Sequence, residues 1–397
     1  MEIELLMEGA LGKLEPESFT KQLRELGEKE QIKVEDYGDL VQLHLCPNGI
    51  ISCVYEKGFV SLTAITSYAG AGFHHAALRL MQKIQEESEI DFSLQDSSNY
   101  LTHQDFELLE AHFYEWLEEM REQIIGAAFD AQFMIAWDHQ SYEPQPKEAH
   151  VITPLGYLSY DEIAMNEAPE LAQRVFVWNQ IEKDASFYRN TALALLWKEG
   201  YFTYANMNET TKQIAHEIVD RFEIAYEKDA QIAIPMHAYS ELCQVLGRTP
   251  QIHLAHKLDE TTAFGYRRHH VYYPFHNWRI AAIGTCEKQE DAFSDALILI
   301  GPYESENAPW SWMMKATPVP LRKAAYEHAL VMDGEGLQGS YRLIKEVDHQ
   351  VLDAQIVHDE EALQVQFIYQ EAALLETALA LLKKMTYIKE ETPKTQA

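Results

Sequence analysis

The run Ala69-Gly70-Ala71-Gly72-Phe73-His74-His75 sets two glycines and two histidines at the mouth of a helix-forming segment. Backbone N–H groups at a helix N-terminus attract anions, and glycine lets a ligand approach the chain closely. His74 or His75 would assist by donating a ring proton. A nucleotide loop needs a third glycine or a GK[ST] ending, and this run has neither. The competing reading is a tight strand-to-helix turn with one histidine packed inward.

Further candidates lie between His237 and Arg279. His237, His253, His256, His269, His270 and His276 fall there with Arg248, Arg267, Arg268 and Arg279. The acids of that span are Glu241, Asp259 and Glu260, so it is a locally basic stretch. If helical, His253-x-x-His256 would offer a metal two ligands on one face, but no third ligand follows at diagnostic spacing. The alternative is a strand-and-loop surface whose bases pair with acids elsewhere. Arg267 and Arg268 join Gly70, Gly72, His74 and His75 as candidate anion- or ligand-binding residues. Glu346-Val347-Asp348-His349 has the Glu-x-x-His spacing of di-metal carboxylate sites. Those sites need two such motifs on helices, and here one sits at a strand-to-turn boundary. His216-Glu217 lacks the second histidine of HExxH, and no G-x-S-x-G element is present. The residues therefore assign no catalytic group, cofactor or metal.

Charge is the stronger signal. The chain has 397 residues and a formal net charge of −31, yet 47% of its residues are hydrophobic. A disordered acidic tail lacks that apolar content, so the acids must coat a folded body. Such a surface repels phosphate and anionic membranes and attracts basic proteins. Direct nucleic-acid binding, which needs a basic footprint, is not expected. From Glu86 to Asp130 there are 13 acids and one base, Arg121. Glu107, Glu110, Glu115, Glu118, Glu119 and Glu122 form the candidate partner-binding face, the plain alternative being a solvated helix surface. The acidic start of the chain and the absence of any apolar run of roughly 18 residues argue against a secretory signal and a membrane span. Cys46, Cys53, Cys243 and Cys286 lack CxxC spacing and read as buried thiols. A cytoplasmic location follows as the expectation.

These residues need elements to position them. Glu17 to Lys29 reads as a helix. Leu40–Cys46, Ile51–Tyr55 and Phe59–Ile65 read as an antiparallel meander turning at Pro47-Asn48-Gly49 and Glu56-Lys57-Gly58. A helix follows the glycine turn. Another is expected from Thr102 to Ala127, with Thr102 and Asp105 as its capping box and an apolar stripe of Phe106, Leu109, Phe113, Leu117, Met120 and Ile124. The middle, opening with a strand at Gln132–Trp137, is mainly helical: Ser186–Glu199, Asn208–Lys228 and Pro235–Leu246. The final third reads as strands at Gly265–Tyr273, Trp278–Ile283, Ala296–Ile300, Gly339–Glu346, Val351–Val357 and Leu363–Tyr369, closed by a helix at Glu371–Met385.

The glycine turn, the stretch Ala192-Leu193-Ala194-Leu195-Leu196-Trp197 and the Arg267-Arg268 pair before Trp278 together resemble large uncharacterised bacterial proteins with a G-x-G-[FY]-H turn. That resemblance implies no activity. The last segment resembles the PsbP-like α/β sandwich in its order of elements, which implies a binding or assembly module. The expectation is an α+β protein: residues 1–130 an α+β domain, 131–250 a mainly helical middle, and 251–390 an antiparallel α/β domain. Function is expected to be non-enzymatic, an immunity- or inhibitor-like protein that binds a basic protein partner. The alternatives are a metal- or histidine-dependent enzyme using His74, His75, His253, His256, His269 and His270, and a structural assembly subunit.

Overall fold

A computed structural model describes residues 2–127, 132–138, 142–200, 209–253, 256–257, 264–291, 294–301, 312–320, 326–359 and 361–388. The chain is mixed α+β, with antiparallel sheets in two compact units. One unit comprises residues 1–138, 146–199 and 213–264, the other 139–145, 200–212 and 265–397. The segments 1–130 and 131–250, read separately from the sequence, thus contribute to one unit.

That first unit starts with β1 (Glu4–Ala10), α1 (Pro16–Glu30), β2 (Lys33–Asp36), β3 (Leu40–Cys46), β4 (Gly49–Glu56), β5 (Phe59–Ile65), α2 (Ala71–Glu87) and β6 (Phe92–Asp96). The strands form one sheet in the order β2-β3-β4-β5-β1-β6. Leu5, Met7, Val41, Leu43, Ile51, Cys53, Val60 and Leu62 are buried at alternate positions, while Glu4 and Glu8 are exposed. The sheet therefore has one apolar face, as antiparallel sheets commonly do. α2 packs on β1, β3 and β5, and Phe19 of α1 meets Phe92 at a ring separation of 6.0 Å.

The β3–β4 turn falls at Pro47-Asn48-Gly49, as its sequence indicates. Asn48, not Gly49, takes the left-handed conformation, at φ 67°. Asparagine tolerates this region because its short side chain bonds locally. Its Nδ2 donates to Tyr68 O at 2.7 Å and to Ala136 O at 2.6 Å. Gly49 instead serves packing, since a Cβ there would stand 2.4 Å from Cys46 Sγ.

The long acidic helix is also revised. A single turn, α3 (Tyr100–His103), precedes α4 (Phe106–Gly126). Gln104 between them sits at φ 51°, which breaks the helix. The N-cap of α4 is Asp105, whose carboxylate accepts from the Glu107 and Leu108 amides, so the expected Thr102 cap gives way to an aspartate. Leu109, Phe113, Leu117 and Ile124 are its buried residues.

Beyond α4 come β7 (His150–Thr153), β8 (Gly156–Ser159), α5 (Tyr160–Met165), α6 (Ala168–Val175), α7 (Ala185–Ala194), α8 (Glu209–Lys228), β9 (Ala233–Ile234), α9 (Met236–Val245) and β10 (His256–Lys257). Residues 132–137 make only an isolated bridge, Met134 to Ile152, in place of the expected strand. α5 opens with the capping box Ser159–Glu162, both halves formed. α4 packs on α5 and α6 as well as on α2. Phe113 and Trp116 meet Phe176 at 5.6 and 5.9 Å. This shared aromatic core is why a boundary near residue 130 does not separate two units.

The second unit contains β11 (His270–Phe275), β12 (Trp278–Ile283), β13 (Glu287–Asp291), β14 (Ala296–Ile300), β15 (Trp312–Pro320), β16 (His328–Leu330), β17 (Leu337–Lys345), β18 (Gln350–His358), β19 (Glu361–Tyr369), α10 (Leu374–Lys383) and β20 (Thr386–Tyr387). One sheet runs β13-β14-β15-β19-β18-β17-β16 and another β11-β12-β20. α10 packs on β12 and β19 through Ala378, Leu381 and Leu382. The predicted strand from Gly265 begins instead with a 3-10 turn at Tyr266–Arg268, entered through Gly265 at φ 92°. Glu346 and His349 occupy the β17–β18 hairpin turn, joined by a backbone bond from Glu346 N to His349 O. Among the described residues, no helix is long and apolar enough to cross a membrane.

Candidate functional site

The glycine turn is closed by the protein's own chain. Gly70 caps α2 at φ 110°, a conformation that disfavours any side chain. The Gly72 amide donates to Trp178 O at 3.1 Å, and Trp178 N donates to Ala69 O at 2.9 Å. A Cβ on Gly72 would lie 2.2 Å from Gln180 O and 2.3 Å from Trp178 Cδ1. The second glycine thus permits close backbone packing, and Trp178 O takes the position at the Gly72 amide that an anion would use. Gly72→Ala should destabilise this unit by about 1–3 kcal/mol through overpacking, read as a lower denaturation midpoint with an unchanged slope.

His74 is fully buried in a polar knot. Its Nδ1 is 2.9 Å from Thr66 Oγ1, and Thr66 Oγ1 donates to Ile3 O at 2.9 Å. The Thr66 hydroxyl proton is therefore spent, and its oxygen accepts from His74. On the other side, His74 Nε2 is 3.3 Å from both Ser98 Oγ and Asp96 Oδ1. Asp96 Oδ1 accepts from the Ser98 hydroxyl at 2.7 Å, and Oδ2 from the Leu101 amide at 2.6 Å. Both ring nitrogens consequently face hydrogen-bonding oxygens. Burial works to raise the Asp96 carboxyl. The hydrogen bonds from His74, Ser98 and Leu101 outweigh it and hold the group well below the usual carboxylate range. The adjacent His75 is half-buried, with Nδ1 2.7 Å from Tyr100 OH. Burial lowers its pKa, helped by Arg79 and His74.

On α4, Glu107, Glu115, Glu119 and Glu122 are exposed, while Glu110 and Glu118 are half-buried. Glu110 accepts from Gln180 Nε2 at 2.8 Å, and Glu118 pairs with Arg121 at 3.1 Å. Leu108, Glu115, Glu119, Glu122 and Ile125 follow one another at steps of seven, four, three and three, which puts them on one helix face. Leu108 is 55% and Ile125 58% exposed, so apolar groups stand at both ends of the acidic row.

The basic stretch is divided among separate contacts. Arg248 bonds Asp220 and Glu223 of α8 at 2.6 and 2.9 Å. His237 stands 4.0 Å from Glu241, and His276 2.9 Å from Asp295. Arg267 donates from Nε to Gly284 O at 2.8 Å and from its terminal nitrogen to Cys286 O, so its guanidinium staples the turn before β13. Arg268 shares the 3-10 turn with Arg267. Gly70, Gly72, His74 and His75 belong to one unit, Arg267 and Arg268 to the other. His253 lies in a bend and His256 in strand β10, so the two do not share a helix face; the His256 side chain lies outside the described residues. No group of three or more His, Cys, Asp or Glu able to hold a metal occurs among the described residues. His269 is exposed, while His270 faces Gln145, Tyr272 and Lys384.

Two features escaped sequence reasoning. Asp96 and Ser98, the partners of His74, sit in a short strand and turn with no motif to mark them. Lys198 lies in a π-helical turn, Leu195–Glu199, which continues α7. Its amine bonds Asn48 Oδ1 and lies 4.7 Å from the Trp137 ring centre. Burial lowers its pKa, against the pull of Glu199 and Asp138. The four cysteines are buried free thiols. Burial pushes Cys46 and Cys53 up to about 12, which makes them inert at neutral pH.

No protein-family model matches the chain, and no curated protein matches it. A solved structure from Bacteroides thetaiotaomicron VPI-5482 is similar over 30% of this chain and 47% of that chain, at 11% identity and a TM-score of 0.22. A likeness that slight carries no argument about either fold or function.

Proposed function

We propose that this chain is a non-enzymatic interaction protein, inhibitor- or immunity-like, that docks a basic protein on the exposed face of α4. The observation that carries this reading is the acidic row Glu115, Glu119 and Glu122, joined by Glu107 and bracketed by exposed Leu108 and Ile125. Apolar anchors flanked by like charges suit a partner with a lysine- or arginine-rich surface. The charges would steer the encounter and the anchors would hold it. In a chain of net charge −31 the long-range field reinforces the local one. A cytoplasmic setting, where thiols stay reduced, fits the four buried cysteines.

The test is affinity capture by the full chain from native lysate at low and high salt, followed by titration of the purified partner. The reading predicts a partner of high isoelectric point whose association slows steeply as salt rises. An acidic or neutral partner, or salt-insensitive association, would count against it.

A further inference from the structure

A polar cluster on the outer face of β11 has more hydrogen-bond donors than acceptors. His270 and Tyr272 alternate with buried Val271 and Tyr273, so they share that face. Glu143 bridges to Tyr272 through paired backbone bonds of 2.7 and 2.9 Å. Gln145, two residues on, donates from Nε2 to His270 O at 3.2 Å and also meets His270 Nδ1. The amide is oriented by the His270 carbonyl, which accepts only. Nδ1 is therefore the acceptor nitrogen, and the neutral ring carries its proton on Nε2. Turning the amide over would set its oxygen against His270 O.

The Nε2 edge then faces a cation and a hydroxyl. Lys384 Nζ, at the C-terminal end of α10, lies 3.3 Å from Nε2, and Tyr272 OH lies 3.3 Å from it on another side. Lysine has three donors and no acceptor, so the Lys384–Nε2 contact sets donor against donor. Arg279 adds to the excess. Its guanidinium covers the Tyr272 ring at 4.7 Å and pairs with Glu143, while its Nε is buried without a hydrogen-bond partner. Around His270 stand Lys384, His269 and Tyr272, and Tyr272 in turn feels Arg279 against the carboxylates of Asp333 and Glu143. Burial, then Lys384 and His269, lower the His270 pKa to about 4. His270, Tyr272, Arg279 and Lys384 are all half-buried, so solvent reaches the cluster.

We infer that His270, Tyr272 and Lys384 form an oxyanion-binding site, for a ligand with a carboxylate or phosphate group. One oxygen between Lys384 Nζ and His270 Nε2 would accept from both and turn the opposed donors into two charge-assisted bonds. The same anion would favour a charged imidazole, so binding must raise the His270 pKa by linkage.

The test is NMR of the histidine rings in the full chain, titrated separately with inorganic phosphate and with acetate. The expected result is saturable shifts at His270 with at least one ion, and a higher His270 titration midpoint when that ion is bound. Lys384→Met should weaken binding by at least about tenfold. Lys384→Arg should retain it, and Lys83→Met on α2 should leave it unchanged. The two ions distinguish a carboxylate from a phosphate ligand. If both titrations stay linear, or Lys384→Met binds as well as the parent while its melting is unchanged, the inference falls. Should Lys384→Met fail to fold, the His270 midpoint in the parent decides: no rise with either ion overturns the site.

Discussion

Replacing Asp96 by alanine should cost about 3–5 kcal/mol, because it strands a buried, hydrogen-bonded histidine without its carboxylate. The Asp96 side chain is 2% and that of His74 0% exposed, so bulk solvent does not reach the pair. Leu101 N and Ser98 Oγ would lose their acceptor as well. The melting transition of that unit should fall by roughly 10 °C. Removing both partners together, as in His74→Leu with Asp96→Ala, should cost less than the sum of the single losses. The pH dependence has a definite sign. Folding depresses the Asp96 pKa below its ordinary 3.8. Its contribution is therefore fully present above that value and is lost as pH falls through the folded pKa. Denaturant midpoints measured between about pH 2 and 6 should show a steeper acid loss in the parent than in Asp96→Asn. Equal slopes would mean the carboxylate does not hold the knot together.

The second large effect is on association. Changing Glu107, Glu115, Glu119 and Glu122 to glutamine removes four charges and no buried contact, since all four side chains are exposed. Exposed charges are worth about 0.2–1 kcal/mol each. Together they should weaken partner binding by about 10–100-fold, mainly through a slower on-rate. Melting should barely change. Glu17, Glu25, Glu28 and Glu30 of α1 are also exposed and supply a matched control. On α1 the acids are interleaved with Lys21, Arg24 and Lys29, so neutralising them should weaken binding far less. Equal losses from both sets would reduce the effect to net charge and remove α4 as the docking face.

The mixed α+β class was legible because periodicity and turns agreed in the clearest segments. The β3–β4–β5 meander, α8 and α9 were visible for that reason. β1 was missed although Leu5 and Met7 alternate with Glu4 and Glu8, since its pairing with β5 and β6 joins residues about 60 and 90 positions apart. β15 ends Thr317-Pro318-Val319-Pro320, and prolines argue against a strand flanked on both sides. The glycine turn was legible, and the alternative of a tight turn with one histidine packed inward matches buried His74. That Trp178 and Gln180 close it was not legible, because they come from over a hundred residues away. The π turn at Lys198 and the His270 cluster depend on contacts that no local pattern encodes. The acidic row on α4 needed only helical spacing, so it could be read directly.

Carbodiimide footprinting of carboxylates decides whether α4 is the docking face. The chain is labelled with a small amine, free and in complex with its captured partner, and each glutamate is quantified by mass spectrometry. Protection should concentrate at Glu107, Glu115, Glu119 and Glu122, with the α1 acids labelled equally in both states. Unchanged labelling on α4 in a saturated complex would place the partner elsewhere on the chain.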